Sequence, residues 1–455
     1  MNLERLMEPG VIAVIGVSHS NPFNPANVIY HKNRLRHSAD TYPVNPKGGK
    51  LFGEPVFSSI AEVPAPVDLA VLAVRAEFVP GVLEECIQAG AGGAIIISGG
   101  FSETGHLDLQ KRVKDLARGH DFPVIGPNCL GVYSPPQVDA FFLPHERLIE
   151  PRKGKISLVS QSGGILVDQM IKLTQEGVGI ARAVSMGNKA VIDEVDLLAF
   201  FEGDPATEVI GIYTEGFAPG RGREFVDLVR TAKKPVVIQK SGKTPGGARA
   251  VSSHTAALAG DYEVFSEAVR QGGAFEARSE AEFVSFCEAL SCCRGAEVGN
   301  VCIVTASGGH GAIASDECYA AGLKISDVPD LDRAALSEML SGSIRPIVSL
   351  GNPVDLTGSA NDNDFLAATS FFIEKDYVDC ILLLLLPYLP AITTDIGARV
   401  ALIARQHDKP VITYMPHVDR YTIFIDGFES NGIPVAHSVE GAVHMVRALM
   451  KGGRR

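Results

Sequence analysis

The chain has 455 residues, too many for a single core, so two to four domains are expected. Hydrophobic residues make up 46% and charged residues 21%, the balance of a folded soluble protein. The formal net charge of −12 argues against a nucleic-acid backbone as the main ligand and leaves room for a local phosphate site. Eight cysteines occur without a C-x-x-C pair, which disfavours disulfide and zinc frameworks and points to reduced thiols. With no signal peptide, and no apolar run near the ~18 residues of a membrane span, a cytoplasmic protein without membrane or nucleic-acid partners is expected.

The first block, 1–150, alternates apolar runs with amphipathic stretches. Val11–Ile15 ends at Gly16-Val17-Ser18, and further runs at 67–74, 94–98 and 122–125 alternate with helical spacing at 78–89 and 107–118. Buried strands separated by helices predict a parallel sheet covered on both faces, with ligands held beyond the carboxyl ends of its strands. The first turn lacks G-x-G-x-x-G. The strand that ends in residues 42–49 presents Lys47 where a NAD site needs an acidic partner for the ribose. Gly16, Ser18, Asn45, Lys47, Ser98 and Gly99 therefore fit a phosphorylated nucleotide other than NAD, although each alone is also an ordinary turn residue.

A short linker is expected at 151–155. The second block, 151–294, opens on a strand at 156–159, the turn Ser160-Gln161-Ser162-Gly163-Gly164 and a helix from Ile165. Such a helix start aims backbone N–H groups at an anion and contributes about 0.3–1 kcal/mol when exposed; helix capping accounts for the serines equally well. Strands at 181–185, 209–214 and 235–239 follow, and Glu215 stands at the carboxyl end of the second of these. Residues 240–249 hold Gly242, Pro245, Gly246 and Gly247 and read as a mobile loop, because Gly and Pro do not favour a helix interior. The loop leads into Ser252-Ser253-His254-Thr255-Ala256, where an imidazole among small residues suits chemistry on a phosphate-sized group.

Helical spacing at 261–271 and 279–293 closes the block, and a second linker is expected at 294–300. The third block, 295–455, repeats the earlier arrangement: a strand at 301–305, the turn Ala306-Ser307-Gly308-Gly309-His310, and a helix from Ala312. A leucine-rich strand at 381–386 and another at 411–414 complete a third α/β sheet. No P-loop is present, since Gly242-Lys243-Thr244 holds only its last three residues.

Together these stretches resemble the α subunits of nucleoside-diphosphate-forming acyl-CoA synthetases, the superfamily of ADP-forming acetyl-CoA synthetase and succinyl-CoA synthetase. The resemblance rests on six stretches in this order: Pro43-Val44-Asn45-Pro46-Lys47, Gly126-Pro127-Asn128-Cys129-Leu130-Gly131-Val132, Ser160-Gln161-Ser162-Gly163, Tyr213-Thr214-Glu215-Gly216, the 253–260 stretch around His254, and Asn352-Pro353-Val354-Asp355. It implies an α/β fold with a CoA-binding Rossmann-like domain followed by two flavodoxin-like ligase domains. CoA contacts then fall to Gly16, Val17, Ser18, Asn45, Lys47, Val74, Ser98 and Gly99, with Asn128 at the pocket. His254 becomes the residue phosphorylated in turnover and Glu215 the carboxylate that holds it. Ser162, Gly163 and Gly164 with Ser307, Gly308 and Gly309 become paired phosphate-binding helix starts.

The same resemblance implies a small carboxylic acid or acyl-CoA as substrate and ATP or ADP with Mg2+ held mainly by an ATP-grasp β subunit, in an α2β2 assembly. Three positions depart from the family pattern. Ala256 stands in place of the usual glycine, His310 ends a turn that usually reads Asn-Ala-Gly-Gly-Pro, and Val167 takes the place of a substrate-adjacent tyrosine, which disfavours succinate. Two other readings compete: a CoA-responsive regulatory protein of the same fold without turnover, and a nicotinamide oxidoreductase. Retention of His254, Glu215 and both Ser/Gly turns speaks against the first, and Lys47 with the missing fingerprint against the second.

Overall fold

The structure, a computed structural model, describes residues 1–255 and 260–450; of 252–255 it describes the backbone alone. The chain forms two compact units. The first holds Met1–Thr174 and Gly179–Glu276, the second Gln175–Val178 and Ala277–Arg455.

The first unit contains two large sheets. One has five parallel strands in the order Asp40–Val44, Val11–Ile15, Leu69–Leu72, Ala94–Ile96 and Val124–Ile125. Val14, Leu69, Val71, Leu72, Ile95 and Ile96 are wholly buried, as near-continuous apolar runs in a doubly covered parallel sheet should be. Ile15 stands level with both Val44 and Leu72, and Leu72 with Ile96, so these strands end along one rim.

The other sheet has seven strands in the order Phe275–Ala277, Val236–Lys240, Val209–Thr214, Lys153–Ser160, Ile180–Ser185, Gly131–Ser134 and Val138–Asp139. Its last two strands lie antiparallel and come from residues before 151. The reason is local: Val132, Tyr133, Val138, Ala140 and Phe141 are all buried, so this tail has apolar faces that need a sheet. The buried Lys32–Asp139 ion pair (2.8 Å) and the Asn33 side chain, which donates to the Asp139 carbonyl (2.7 Å), tie the tail back to the helix Pro25–Arg36. The stretch expected to be a linker at 151–155 is already strand from Lys153 onward.

The second unit holds one parallel sheet in the order Lys324–Ile325, Asn300–Thr305, Cys380–Leu384, Val411–Tyr414 and Val435–Ala436, with Val354–Asp355 paired to the carboxyl end of Asn300–Thr305. Leu382, Leu383 and Leu384 are fully buried at its centre. Helix Glu280–Cys292 packs here against helix Val439–Ala448, and Arg447 reaches the Glu282 carboxylate at 3.1 Å.

Three expected boundaries move. Helices begin at Gly163 and Gly308, ahead of Ile165 and Ala312, because a first-turn residue has no intrahelical N–H partner to lose and glycine is tolerated there. Residues 240–249 are not loop throughout: a helix runs Pro245–Thr255. Proline at the first helical position sacrifices nothing, and Thr244 supplies the cap, its hydroxyl accepting from Gly247 N at 3.1 Å and its carbonyl from Ala248 N at 2.7 Å.

Candidate functional site

At the rim of the five-stranded sheet the backbone itself shapes the concavity. Gly16, at φ +105°, passes so near the neighbouring strand end that a Cβ would stand 2.5 Å from the Ala73 carbonyl oxygen. Only glycine fits this turn. Beside it the Asn45 side chain donates to the Val17 carbonyl (2.7 Å) and accepts from Lys47 N (2.9 Å), which fixes two adjacent turns to each other. Ser18 accepts on its hydroxyl from Asn21 N (3.1 Å), and its own N–H goes to Asn27 Oδ1 (2.7 Å). Val74 offers its carbonyl to the Ser98 hydroxyl, and the Ser98 carbonyl accepts from Asn128 N at 2.9 Å.

Direct bonds or close approach thus link seven of the nine residues read as CoA contacts; Ser18 adjoins Val17 in the chain, and Gly99 faces Asn128 Oδ1. Lys47 is exposed, with its cationic head available to a phosphate. Chain turns at φ > 0, exposed Gly99 and an open lysine make a cradle that suits a phosphorylated nucleotide.

Glu215 closes the strand Val209–Thr214 of the seven-stranded sheet and is buried, 6% exposed. Its N–H donates to Gln161 Oε1 at 3.0 Å, which binds the strand end to the Ser160–Gly164 turn. Its Oε2 is buried with no hydrogen-bond partner among the described residues. A buried carboxylate oxygen left so is costly and calls for a donor. Nearby, burial pushes the Lys240 ammonium below its usual range; Lys243 repels it further and Glu215 draws it partly back. The Tyr213 hydroxyl, pushed up by burial, lies 2.6 Å from the Ser241 hydroxyl.

Next to Glu215, the helix Gly163–Gln175 presents Ser162, Gly163 and an exposed Gly164 at its start. Gly163 fits because a Cβ there would stand 2.8 Å from the Leu130 side chain. His254 lies in the last turn of the helix Pro245–Thr255. Its imidazole and residues 256–259 lie outside the described residues. That helix runs beside the short 3-10 turn Ser102–Thr104, which follows Gly99.

In the second unit, Ser307, Gly308 and Gly309 open the helix Gly308–Ala320 at the carboxyl end of Asn300–Thr305. Ser307 N donates to Thr305 Oγ1 (3.0 Å), and its hydroxyl lies 3.1 Å from His310 Nδ1. The His310 ring packs on Tyr414 at 5.6 Å. Asp355 crowds Gly308, since a Cβ there would stand 3.0 Å from Asp355 Oδ2.

Sequence reasoning did not single out Gln161, Glu103, Lys189 or Glu194 as contributors. Glu103 accepts from Gly100 N (2.6 Å) and Asn188 Nδ2 (2.5 Å). Burial opposes its ionisation, but these bonds outweigh it and hold the carboxyl below the usual carboxylate range. Of the four, Gln161 alone stands in a stretch the sequence marked, the Ser160–Gly164 turn.

Three family models match the chain in order: a CoA binding domain over 10–135, a succinyl-CoA ligase like flavodoxin domain over 153–290, and a ligase-CoA domain over 301–435. The chain is 34% identical to the α subunit of acetate–CoA ligase [ADP-forming] I from Pyrococcus furiosus, a match that covers 99% of this chain and 98% of that one. It is 37% identical over 390 residues to acetate–CoA ligase [ADP-forming] I of Archaeoglobus fulgidus, of whose length the match spans 55%. Among solved structures, a Ca. Korarchaeum cryptofilum dinucleotide-forming acetyl-coenzyme A synthetase 1 in complex with phosphate and ADP is similar at a TM-score of 0.89 and 31% identity, over 98% of this chain and 96% of that one.

Proposed function

From the premise that the chain belongs to the family of α subunits of nucleoside-diphosphate-forming acyl-CoA synthetases, we propose that it catalyses the acyl and phosphoryl steps of an ADP-forming acid–CoA ligase. CoA is a substrate here, held at the first rim by the turns of Gly16, Val17, Ser18 and Asn45, by Lys47, and by the Val74, Ser98–Gly99 and Asn128 edge. Phosphate attacks the thioester carbonyl of an acyl-CoA; the C–S bond breaks, and CoA leaves as the thiol. The acyl phosphate then gives its phosphoryl group to a neutral ring nitrogen of His254, and the carboxylate departs. Phosphohistidine finally passes the group to ADP.

The observation that carries this reading is the buried Oε2 of Glu215, without a partner among the described residues, at a strand end beside the Ser162–Gly164 helix start. A carboxylate in that state can accept the N–H of one imidazole nitrogen and leave the other with its lone pair, the arrangement a nucleophilic histidine needs. Helix N-termini offset the charge of the phosphoryl group without a competing nucleophile. Ser162, Gly163 and Gly164 supply one such start, and Ser307, Gly308 and Gly309 the other. The reading places 1–150 as the CoA domain, 151–294 as the ligase domain with His254, and 295–455 as the third domain.

Delivery to ADP requires an ATP-grasp β subunit, with its Mg2+, in an α2β2 assembly located in the cytoplasm. The test is labelling of the full chain with radioactive phosphate in the presence of a panel of acyl-CoA thioesters, acetyl-CoA first. Acid-labile, base-stable label that disappears in His254→Ala supports the reading. Label that survives the substitution, or none with any thioester, overturns it. ATP-driven CoA ligation by this chain without a partner overturns the β-subunit requirement.

A further inference from the structure

Residues 186–190 form a turn that touches two working edges of the first unit at once. Gly187, at φ +56°, lies so close to the 126–128 loop that a Cβ would stand 2.3 Å from the carbonyl oxygens of both Pro127 and Asn128. Asn188 N donates to the Pro127 carbonyl at 2.9 Å and Ala190 N to the Gly126 carbonyl at 3.0 Å. The Asn188 side-chain amide reaches Glu103 Oε2 (2.5 Å) and Gln110 Oε1 (3.0 Å). One face of the turn is thus locked onto the Asn128 edge of the CoA cradle.

Lys189 sits between these anchors at φ +52°, a left-handed conformation that a long side chain takes at a cost. Its ammonium turns to the opposite face, where it donates to Glu194 Oε1 (3.1 Å) and the Gly216 carbonyl (2.7 Å). The Glu194 side chain is buried, 1% exposed, and that of Lys189 is largely covered, 10% exposed. Glu194 Oε1 also accepts from the Thr214 hydroxyl at 3.2 Å, and Thr214 Oγ1 accepts in turn from Gly216 N at 3.2 Å. The backbone on both sides of Glu215 is therefore held by one buried lysine–glutamate pair, and its own N–H by Gln161.

Such a pair is a poor source of stability, because desolvation consumes most of its attraction and apolar replacements do as well. A strained lysine, aimed at the carbonyl that follows Glu215, has a better explanation in placement. We propose that Lys189 is a positioning residue for Glu215: with Glu194 it fixes the Thr214–Gly216 strand end from the same turn that clasps the Asn128 edge of the CoA cradle. The inference rests on the reading of Glu215 as the partner of His254. Acyl-CoA held at the cradle and the carboxylate that serves the phosphoryl step are then registered against one piece of backbone.

The experiment follows the rate of labelling of the full chain by radioactive phosphate with the acyl-CoA panel. The decisive variant is Lys189→Met/Glu194→Gln, which leaves no lone buried charge. Labelling is expected to slow about 100-fold, as for a misplaced reacting group, with the half-saturating acyl-CoA concentration changed less than about twofold. Lys189→Arg should recover part of the rate, and adding Glu215→Gln to the double variant should leave it no slower than Glu215→Gln alone. Glu194→Gln by itself is the milder probe should the double variant not fold, with labelling about tenfold slower.

Unchanged rates, a loss carried by half-saturation, or losses that multiply with Glu215→Gln would overturn the positioning role. A Glu215→Gln protein that labels like wild type, or a wild-type chain that takes no label, instead removes the role of Glu215 and this inference with it.

Discussion

The two Ser/Gly helix starts look alike in sequence and differ in what surrounds them. Ser160–Gly164 is bound to the backbone of a residue with a buried carboxylate: Gln161 takes the Glu215 N–H, and Leu130 occupies the space where a Gly163 side chain would go. Ser307–Gly309 is bound to an imidazole: His310 packs between Ser307 and the Tyr414 ring, with Asp355 beside Gly308. One motif therefore neighbours a carboxylate oxygen without a donor among the described residues, and the other a group already provided with neighbours. On the proposed reading the two helix starts need not share work equally, and the first has the carboxylate beside it.

The sharpest way to break that comparison is Glu215→Gln. Replacing the charged acceptor for an imidazole N–H by a neutral amide should slow phosphate labelling about 100-fold or more, with CoA affinity by calorimetry unchanged. His310→Ala should change labelling less than about threefold; a loss as large as that of Glu215→Gln would make the second start the dominant one. Next in size is Gln161→Leu, which strands a buried N–H and should cost about 1–3 kcal/mol in urea unfolding.

Gly163→Ala and Gly164→Ala sharpen the contrast within one turn. The first drives a methyl group to 2.8 Å from Leu130 and should destabilise by about 1–3 kcal/mol. The second meets open space and should stay within about 0.5 kcal/mol of the parent.

The smallest expected effect is a pH slope confined to the second unit. Burial, and then the charge of Glu429, push the Glu176 carboxyl from 4.5 up to about 8. Its Oε2 lies 3.2 Å from His437 Nε2, whose ring burial lowers and the adjacent His417 lowers further. Glu288, also facing this group, is raised by burial and by Glu176 and Glu429. A carboxyl with a raised folded value contributes stability that is complete below its unfolded value and lost as pH climbs through the folded one. His437 runs the other way: its contribution is present above its ordinary value of 6.5 and lost as pH falls. Thermal unfolding should therefore move down between pH 6 and 8.5, and Glu176→Gln should flatten that slope.

Much of the architecture was legible in the residues. Val11–Ile15 and Val209–Thr214 follow the expected strand bounds, and the expected strand at 381–386 lies at Cys380–Leu384, because apolar runs this dense have only a buried strand to occupy. The residues read at the first rim came together as neighbours, since strand-end turns of a parallel sheet share one edge. The 245–249 helix was not legible: its Gly and Pro content suggests a loop, and the Thr244 cap that rescues it is a local bond rather than a periodicity. Lys189 and Glu194 were hidden for another reason. In Gly187-Asn188-Lys189 and Asp193-Glu194 they look like solvated charges, and their pairing is completed by the Thr214–Gly216 strand end, twenty and more residues later.

By itself the sequence determined the alternation of strands and helices, the two Ser/Gly helix starts, and the family to which these motifs belong. Those properties follow from short-range periodicity and backbone sterics, which neighbouring residues encode. The tertiary structure alone decided that Glu215 is buried with an oxygen lacking a described donor, that Gln161 holds its amide, and that one turn joins the Asn128 edge of the first rim to the Glu215 strand end. The bonds from Gln161 to Glu215 and from Glu103 to Asn188 span 54 and 85 positions of chain. Partners at that separation are set by how sheets and turns pack, and no local pattern records them.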